Sequence, residues 1–472
     1  MGRTRAQRQD IEFENRGACR DRGQQQSRPN ITDFELSAIT EKRDILPVLH
    51  RLVPFAILTT ITFTFTCVFP FPSTSILHLY ILALLLLVFK HKHFSMASLP
   101  NICFFLLLIT LAFHSSPSAA QTKCGITSVY QFGDSLADNG NGIRLPGVSL
   151  AFNTSKLPYG ETFFMTPTGR ASDGRIINDF IVSSLNLPFL NAYLNINTSF
   201  SQGANFAVSG ATALDNAFWA ALNVTLRPWN KHLDAQLGWF KSHLQSTCGS
   251  NCAQTLNNSL VVLGEFGGVD YFNCFFQNKQ EPEIRTYVPP VIAEITRGIR
   301  DVIQLGATRI LVPGVYPFGC LPVYLNKFYL PNPLDYDTLG CLRNLNVFAS
   351  YHNTQLNIAL TNLQLQFPNV TIVYGDYYGA LTTVLSRASS FGFNQSTLLS
   401  ACCGGGGRYN YGKACGSADA TTCPNPSQYI NWDGIHLTDA AHHHMADIIV
   451  TDMLPKFECN NFEDSGVLMS SY

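Results

Sequence analysis

The stretch V-Y-Q-F-G-D-S-L-A-D-N-G-N, Val129 to Asn141, decides how the rest of the chain is read. Val129, Tyr130 and Phe132 make a short apolar strand, Gly133 allows a sharp turn, and the turn delivers Ser135 at the strand's end. A serine so presented is a candidate nucleophile. Its hydroxyl is weak until a base takes the proton, so the reading requires a base elsewhere in the chain.

That base lies far downstream, in Trp432-Asp433-Gly434-Ile435-His436-Leu437-Thr438. Thr438 suits the N-cap of a last helix predicted from Asp439 to about Leu454, which leaves Asp433 and His436 together on the preceding loop. The carboxylate can hold the imidazole tautomer so that its other nitrogen faces Ser135. Taken alone, D-x-x-H also describes a capping Asp beside a surface His. What favours a triad is its combination with a strand-end serine and intervening small-residue loops. A G-x-S-x-G elbow is lacking, which disfavours the α/β-hydrolase layout.

Between these two ends, short apolar runs alternate with helical periods. Ile176, Ile177, Phe180, Ile181 and Leu185 mark one helix face after Asp173-Gly174-Arg175. Gly203 to Ala213 is a small-residue loop that permits close approach of a ligand or simply packs tightly. Leu260–Leu263 reads as a buried strand running into a glycine-rich loop, Gly264 to Tyr271. Val288–Leu305 reads as an amphipathic helix, Arg309–Val312 as a strand, Asn344–Phe367 as a long helix, and Val370–Tyr374 as a strand. Such alternation predicts an α/β fold with a parallel sheet covered on both faces. Cys402 to Cys423 reads as a disulfide-tied surface loop; its Gly404–Gly407 run lacks the Lys-Ser/Thr of a phosphate loop. His442, His443 and His444 point in different directions on a helix and read as a solvated face rather than a metal site.

Composition divides the chain near residue 120. Residues 1–120 hold twelve Lys and Arg against eight Asp and Glu, and residues 121–472 hold nineteen against twenty-four. The mildly acidic body offers no footprint for nucleic acid. Eleven of fourteen cysteines fall after residue 120, without regular C-x-x-C pairs, which reads as a secreted disulfide set with at least one odd thiol. Cys248 with Cys252 and Cys320 with Cys341 are the expected local pairs. Sequons at Asn153, Asn197, Asn223, Asn257, Asn369 and Asn394 point to the same compartment as glycosylation sites.

The N-terminal part reads as three pieces. Residues 1–51 are polar and without period, and two apolar segments follow, Leu52–Pro72 and Ile76–Phe89. From Met96 a twelve-residue apolar run, Ile102–Phe113, leads to Ser118-Ala119-Ala120, as in a secretory signal peptide over 96–120. Residues 1–95 are then an upstream extension, possible as a membrane anchor only if 52–89 are retained, and 121–472 form one domain.

Five motifs in order carry a resemblance: Phe132-Gly133-Asp134-Ser135-Leu136 with Asp138 and Asn141; Ser172-Asp173-Gly174-Arg175; Gly203 to Ala213; Gly264 to Tyr271; and Trp432 to Thr438. Together they resemble the plant branch of the GDSL esterase/lipase family, the SGNH hydrolases. The resemblance implies a three-layer α/β/α sandwich and hydrolysis of a small-molecule or lipid ester through an acyl-enzyme, with no metal or cofactor. It implies Ser135 as nucleophile, His436 as base, Asp433 as orienter, and the backbone N–H groups of Ser135 and Gly210 as oxyanion donors. It also exposes one departure. The family's Gly-x-Asn-Asp motif supplies a third donor from its asparagine, and here Val269 stands at that position, with Asn273 the nearest amide beyond it. The expectation is therefore a secreted esterase weakened at one donor. The alternatives are a catalytically impaired binding or regulatory protein, and an acyltransferase using the same acyl-enzyme.

Overall fold

The computed structural model describes residues 124–147 and 152–459, so the upstream extension, the apolar segments and the signal peptide lie outside the described residues. Five strands, β1 (Ser128–Phe132), β2 (Gly203–Asn205), β3 (Ser259–Leu263), β4 (Arg309–Pro313) and β5 (Thr371–Gly375), form one sheet in the order β2-β1-β3-β4-β5. Every pairing is parallel, with Val129 opposite Gly203 on one side and Leu260 on the other. All residues of β1 and β3 are buried, as expected of apolar runs covered on both faces.

The chain leaves β1 toward β2 on one side and returns to β3 on the other. In open parallel sheets of this order the crevice at the carboxyl ends of the strands beside that reversal is where ligands bind. Ser135 follows β1 and the Gly264 loop follows β3, so both predicted loops open onto that crevice. The two backbones approach so closely that a Cβ on Gly133, whose φ is +142°, would sit 2.5 Å from the Gly264 carbonyl oxygen. Only glycine fits there.

The principal helices are α1 (Ile177–Ser184), α2 (Leu233–Thr247), α3 (Gly268–Phe276), α4 (Val288–Gln304), α5 (Arg343–Gln366), α6 (Tyr377–Ser386) and α7 (Asp439–Lys456). One layer packs α7 against α1 and α6, and the other packs α4 against α2 and α5. The result is the three-layer α/β/α sandwich. On α4, Val288, Val291, Ile292, Ile295, Ile299 and Val302 form the buried stripe that the helical period demands.

Four features differ from the sequence expectation. Gly203–Asn205, read as loop, is the edge strand β2; three residues with no β-branched side chain carry little strand signal. The run read as a loop through Tyr271 enters α3 at Gly268, so Val269 sits in a helix's first turn. The cysteine-rich segment is tied by Cys402–Cys423 and Cys403–Cys415, but Cys402, Cys403 and Cys415 are buried, and the segment forms a cavity wall rather than a mere surface loop. His442 is buried inside the sandwich, while His443 stacks on Phe180 and His444 lies against Phe391. Burial pulls the His442 imidazole down to about 3, so it stays neutral.

Both expected local disulfides, Cys248–Cys252 and Cys320–Cys341, are present. Among the described cysteines Cys124, Cys274 and Cys459 remain outside disulfides.

Candidate active site

Ser135 stands on a turn braced from below. Asp134 accepts the Leu136 N–H at 2.8 Å, and the Gln236 side chain from α2 bonds both the N–H and the carbonyl of Gly133. Asp138, fully buried, accepts from Gly140, Asn141 and Gly142 in its own turn and from Ser209 in the small-residue loop. Asn141 adds bonds to the carbonyls of Asn205 and Ala207. These bonds fix the Ser135 turn against the loop carrying Gly210. The backbone N–H groups of Ser135 and Gly210 donate to no acceptor among the described residues. Both line one cavity of about 410 Å³ with His436, Asp433, Val269 and Tyr159.

Asp433 and His436 are carried on the loop before α7. Thr438 caps that helix by accepting the Ala441 N–H, as expected. Asp439, its first residue, holds Arg175 in a two-point ion pair and donates its N–H to Asp173, so the Ser172–Arg175 motif, which leads into α1 as expected, also anchors the start of α7. His436 Nε2 lies 2.8 Å from Ser135 Oγ, and His436 Nδ1 lies 2.7 Å from Asp433 Oδ2. Asp433 Oδ1 also accepts the N–H groups of Ile435 and His436. The geometry brings together the three residues predicted from opposite ends of the domain.

The electrostatics follow from burial and pairing. Burial pushes the Asp433 carboxyl up, but the His436 charge and the hydrogen bonds from His436 and Tyr159 outweigh it and hold it below the ordinary carboxylate value. Burial pulls His436 down, but the charge and hydrogen bond of Asp433, with the charge of Asp134, hold it above its ordinary value.

Tyr159 is the contributor that sequence reasoning missed. Its hydroxyl donates to Asp433 Oδ2 at 2.7 Å, and its ring packs edge-on against the buried Trp432. It sits in a loop without periodicity, and the Pro158-Tyr159-Gly160 run, which marks a turn, was the one local signal.

Val269 lines the cavity and is half-buried. Asn273 lies one helical turn on and also lines the cavity, but its Nδ2 is engaged by the Val269 carbonyl at 2.7 Å. Of the aromatic residues on and beside α3, Phe272 lines the cavity, whereas Phe266, Tyr271 and Phe275 are buried core. Among the sequons, Asn197, Asn223, Asn257, Asn369 and Asn394 are exposed; Asn153 is half-buried in the cavity wall. No group of three or more His, Cys, Asp or Glu suited to a metal ion occurs among the described residues.

Residues 129–449 match the family described as GDSL-like Lipase/Acylhydrolase. The chain belongs to that family. Acetylajmalan esterase of Rauvolfia serpentina is 45% identical over 341 residues, covering 71% of this chain and 88% of that protein. Sinapine esterase of Brassica napus is 44% identical over 355 residues, covering 74% and 90%. A GDSL esterase/lipase of Arabidopsis thaliana is 42% identical over 362 residues, covering 75% and 93%. The match extends across the Ser135 turn and the Asp433–His436 loop alike, so membership in this family of ester hydrolases covers the whole GDSL sandwich.

Proposed function

We propose that the protein is a secreted carboxylic-ester hydrolase that works through an acyl-enzyme on Ser135. The observation that carries this is the continuous hydrogen-bonded line from Ser135 Oγ through His436 to Asp433 at the edge of an apolar-lined cavity. His436 Nε2 takes the serine proton as Oγ attacks the ester carbonyl. The oxyanion is met by the N–H groups of Ser135 and Gly210. His436 then returns the proton to the departing alcohol, and a water activated by the same nitrogen releases the acid. Among the described residues, four disulfides and five exposed sequons support the secretory compartment, with residues 96–120 removed as a signal peptide.

The test is an organophosphonate probe followed by intact-mass analysis and a panel of acyl esters. Labelling at Ser135 with ester turnover is the expected result. Val269 favours a second reading, a binding protein with the fold and pocket but little turnover, for which the probe would leave Ser135 unlabelled. N-terminal sequencing of the native protein is expected to begin at Gln121; a membrane-bound product that keeps residues 1–95 would reject the secretory reading.

The pH dependence follows from His436. The base must be neutral, so activity falls as acid protonates it, and the raised value puts the acid limb above about 6.5, the ordinary histidine value. The groups facing the pair are Asp433, Asp134, Tyr159, Tyr411 and His442. The Tyr159 hydroxyl draws charge from Asp433, so Tyr159→Phe leaves a carboxylate that holds the imidazolium more strongly. The acid limb is expected to move to higher pH, with kcat down by roughly tenfold. A lower kcat with an unmoved limb would make Tyr159 a packing residue only.

A further inference from the structure

The catalytic crevice uses one end of the sheet. At the other end, where β1 and β4 begin, two cysteines meet. Cys124 lies just before β1, and Cys459 lies just past the end of α7, where its N–H donates to the Leu454 carbonyl at 3.0 Å. The topology brings them together: a helix that starts beside the carboxyl ends of parallel strands, as α7 does after His436, runs back along the sheet and finishes where the strands start. Both residues are buried, 6% and 4% exposed, within one apolar cluster. Their thiols are in hydrogen-bonding contact, and the Arg309 guanidinium at the start of β4 acts on both. The hydrogen bond from Cys459 holds the Cys124 thiol down to about 6 against the opposing effect of burial, which keeps a nucleophilic thiolate beside a second sulfur.

The cysteine count points the same way. Eight of the eleven cysteines after residue 120 lie in the four disulfides described above, which leaves Cys124, Cys459 and Cys274. Cys274 is set apart on α3, and burial, with the charge of Asp270, pushes its thiol up to about 12, so it stays protonated.

We infer that Cys124 and Cys459 form a fifth disulfide site, closed by oxidation to tie the entry of β1 to the end of α7, and that Cys274 is the odd thiol. The Cys124 thiolate attacks one sulfur of a disulfide donor such as oxidised glutathione and expels the other half as a thiolate. Cys459, losing its proton, then attacks the Cys124 sulfur of the mixed disulfide and expels the second thiolate. Two protein thiols become one disulfide and the donor becomes two thiols, so two electrons and two protons pass to the donor. Because β1 runs into the Ser135 turn and α7 follows His436, the bridge joins, at the far end of the sandwich, the two elements that carry the hydrogen-bonded pair. The loop it closes takes in nearly all of the described chain, the case in which a cross-link constrains the unfolded chain most. The bridge needs an oxidising compartment and so rests on the secretory reading.

The test equilibrates the full chain in a glutathione buffer poised as in the endoplasmic reticulum, alkylates it in denaturant without reduction, and digests it with trypsin. The expected product is the peptide Cys124–Arg144 linked to Phe457–Tyr472, separating on reduction, with Cys274 the one alkylated cysteine after residue 120. Alkylation of Cys124 and Cys459, or linkage of either to another cysteine, overturns the site. The state of the four described disulfides in the same digest tells that failure apart from failure of the secretory reading. Cys124→Ser, Cys459→Ser and the double variant are expected to melt alike, about 5 °C or more below the parent, since each opens the same bridge. Additive losses in the two single variants would make the thiols packing residues only.

Discussion

Ser135→Ala is expected to lower kcat on any hydrolysed ester by about 10⁴-fold or more, with KM little changed. Ser135 Oγ makes a single hydrogen bond, to His436 Nε2, so its removal leaves the turn held by Asp134, Gln236 and Asp138. The fold and cavity therefore survive, and the loss reports chemistry rather than unfolding. Thermal melting of the variant alongside its kinetics separates the two. A variant that keeps its rate would show that the acyl group never resides on this serine.

Val269→Asn carries the opposite sign. Removing one oxyanion donor typically costs about 10²- to 10³-fold, roughly 3 to 4 kcal/mol, and the substitution restores a donor to a cavity that has two unengaged backbone N–H groups. Val269 is half-buried in the first turn of α3, so the new amide can be solvated in the free protein and is not left as an orphan. Turnover is expected to rise by up to about 10²-fold, the gain appearing in kcat because the donor acts on charge that develops in the transition state. An unchanged kcat would mean that the amide does not reach the oxyanion or that another step limits the rate. A fall would mean that the apolar side chain is itself part of substrate binding.

Much of this arrangement was legible in the chain because its signals were local. The serine turn, the apolar runs of β3 and β4, the stripe of α4 and the cap at Thr438 each announce themselves within a few residues. What was not legible depended on partners far away. Tyr159 becomes part of the site through a bond to a residue 274 positions later. β2 is a strand because β1 lies beside it and Asn141 binds its carbonyl, not because Gly203, Ala204 and Asn205 favour extension. His442 is buried because α7 is packed against both α1 and α6, which a run of three identical side chains cannot disclose. The glycine-rich loop after β3 looked uniform, yet its second half winds into α3, and that decides where Val269 points.

The hydrogen bond between His436 and Ser135 joins residues 301 positions apart, with the partners near the two ends of the described sandwich. On the ribosome Ser135 is therefore made early in the sandwich and His436 almost last. A chain still being synthesised, or one cut short anywhere before His436, carries a Ser135 without its hydrogen-bond partner. At about 5 to 20 residues per second, the earlier strands have tens of seconds to pair before a base exists. On the proposed mechanism, reactivity is thus the final property the molecule acquires.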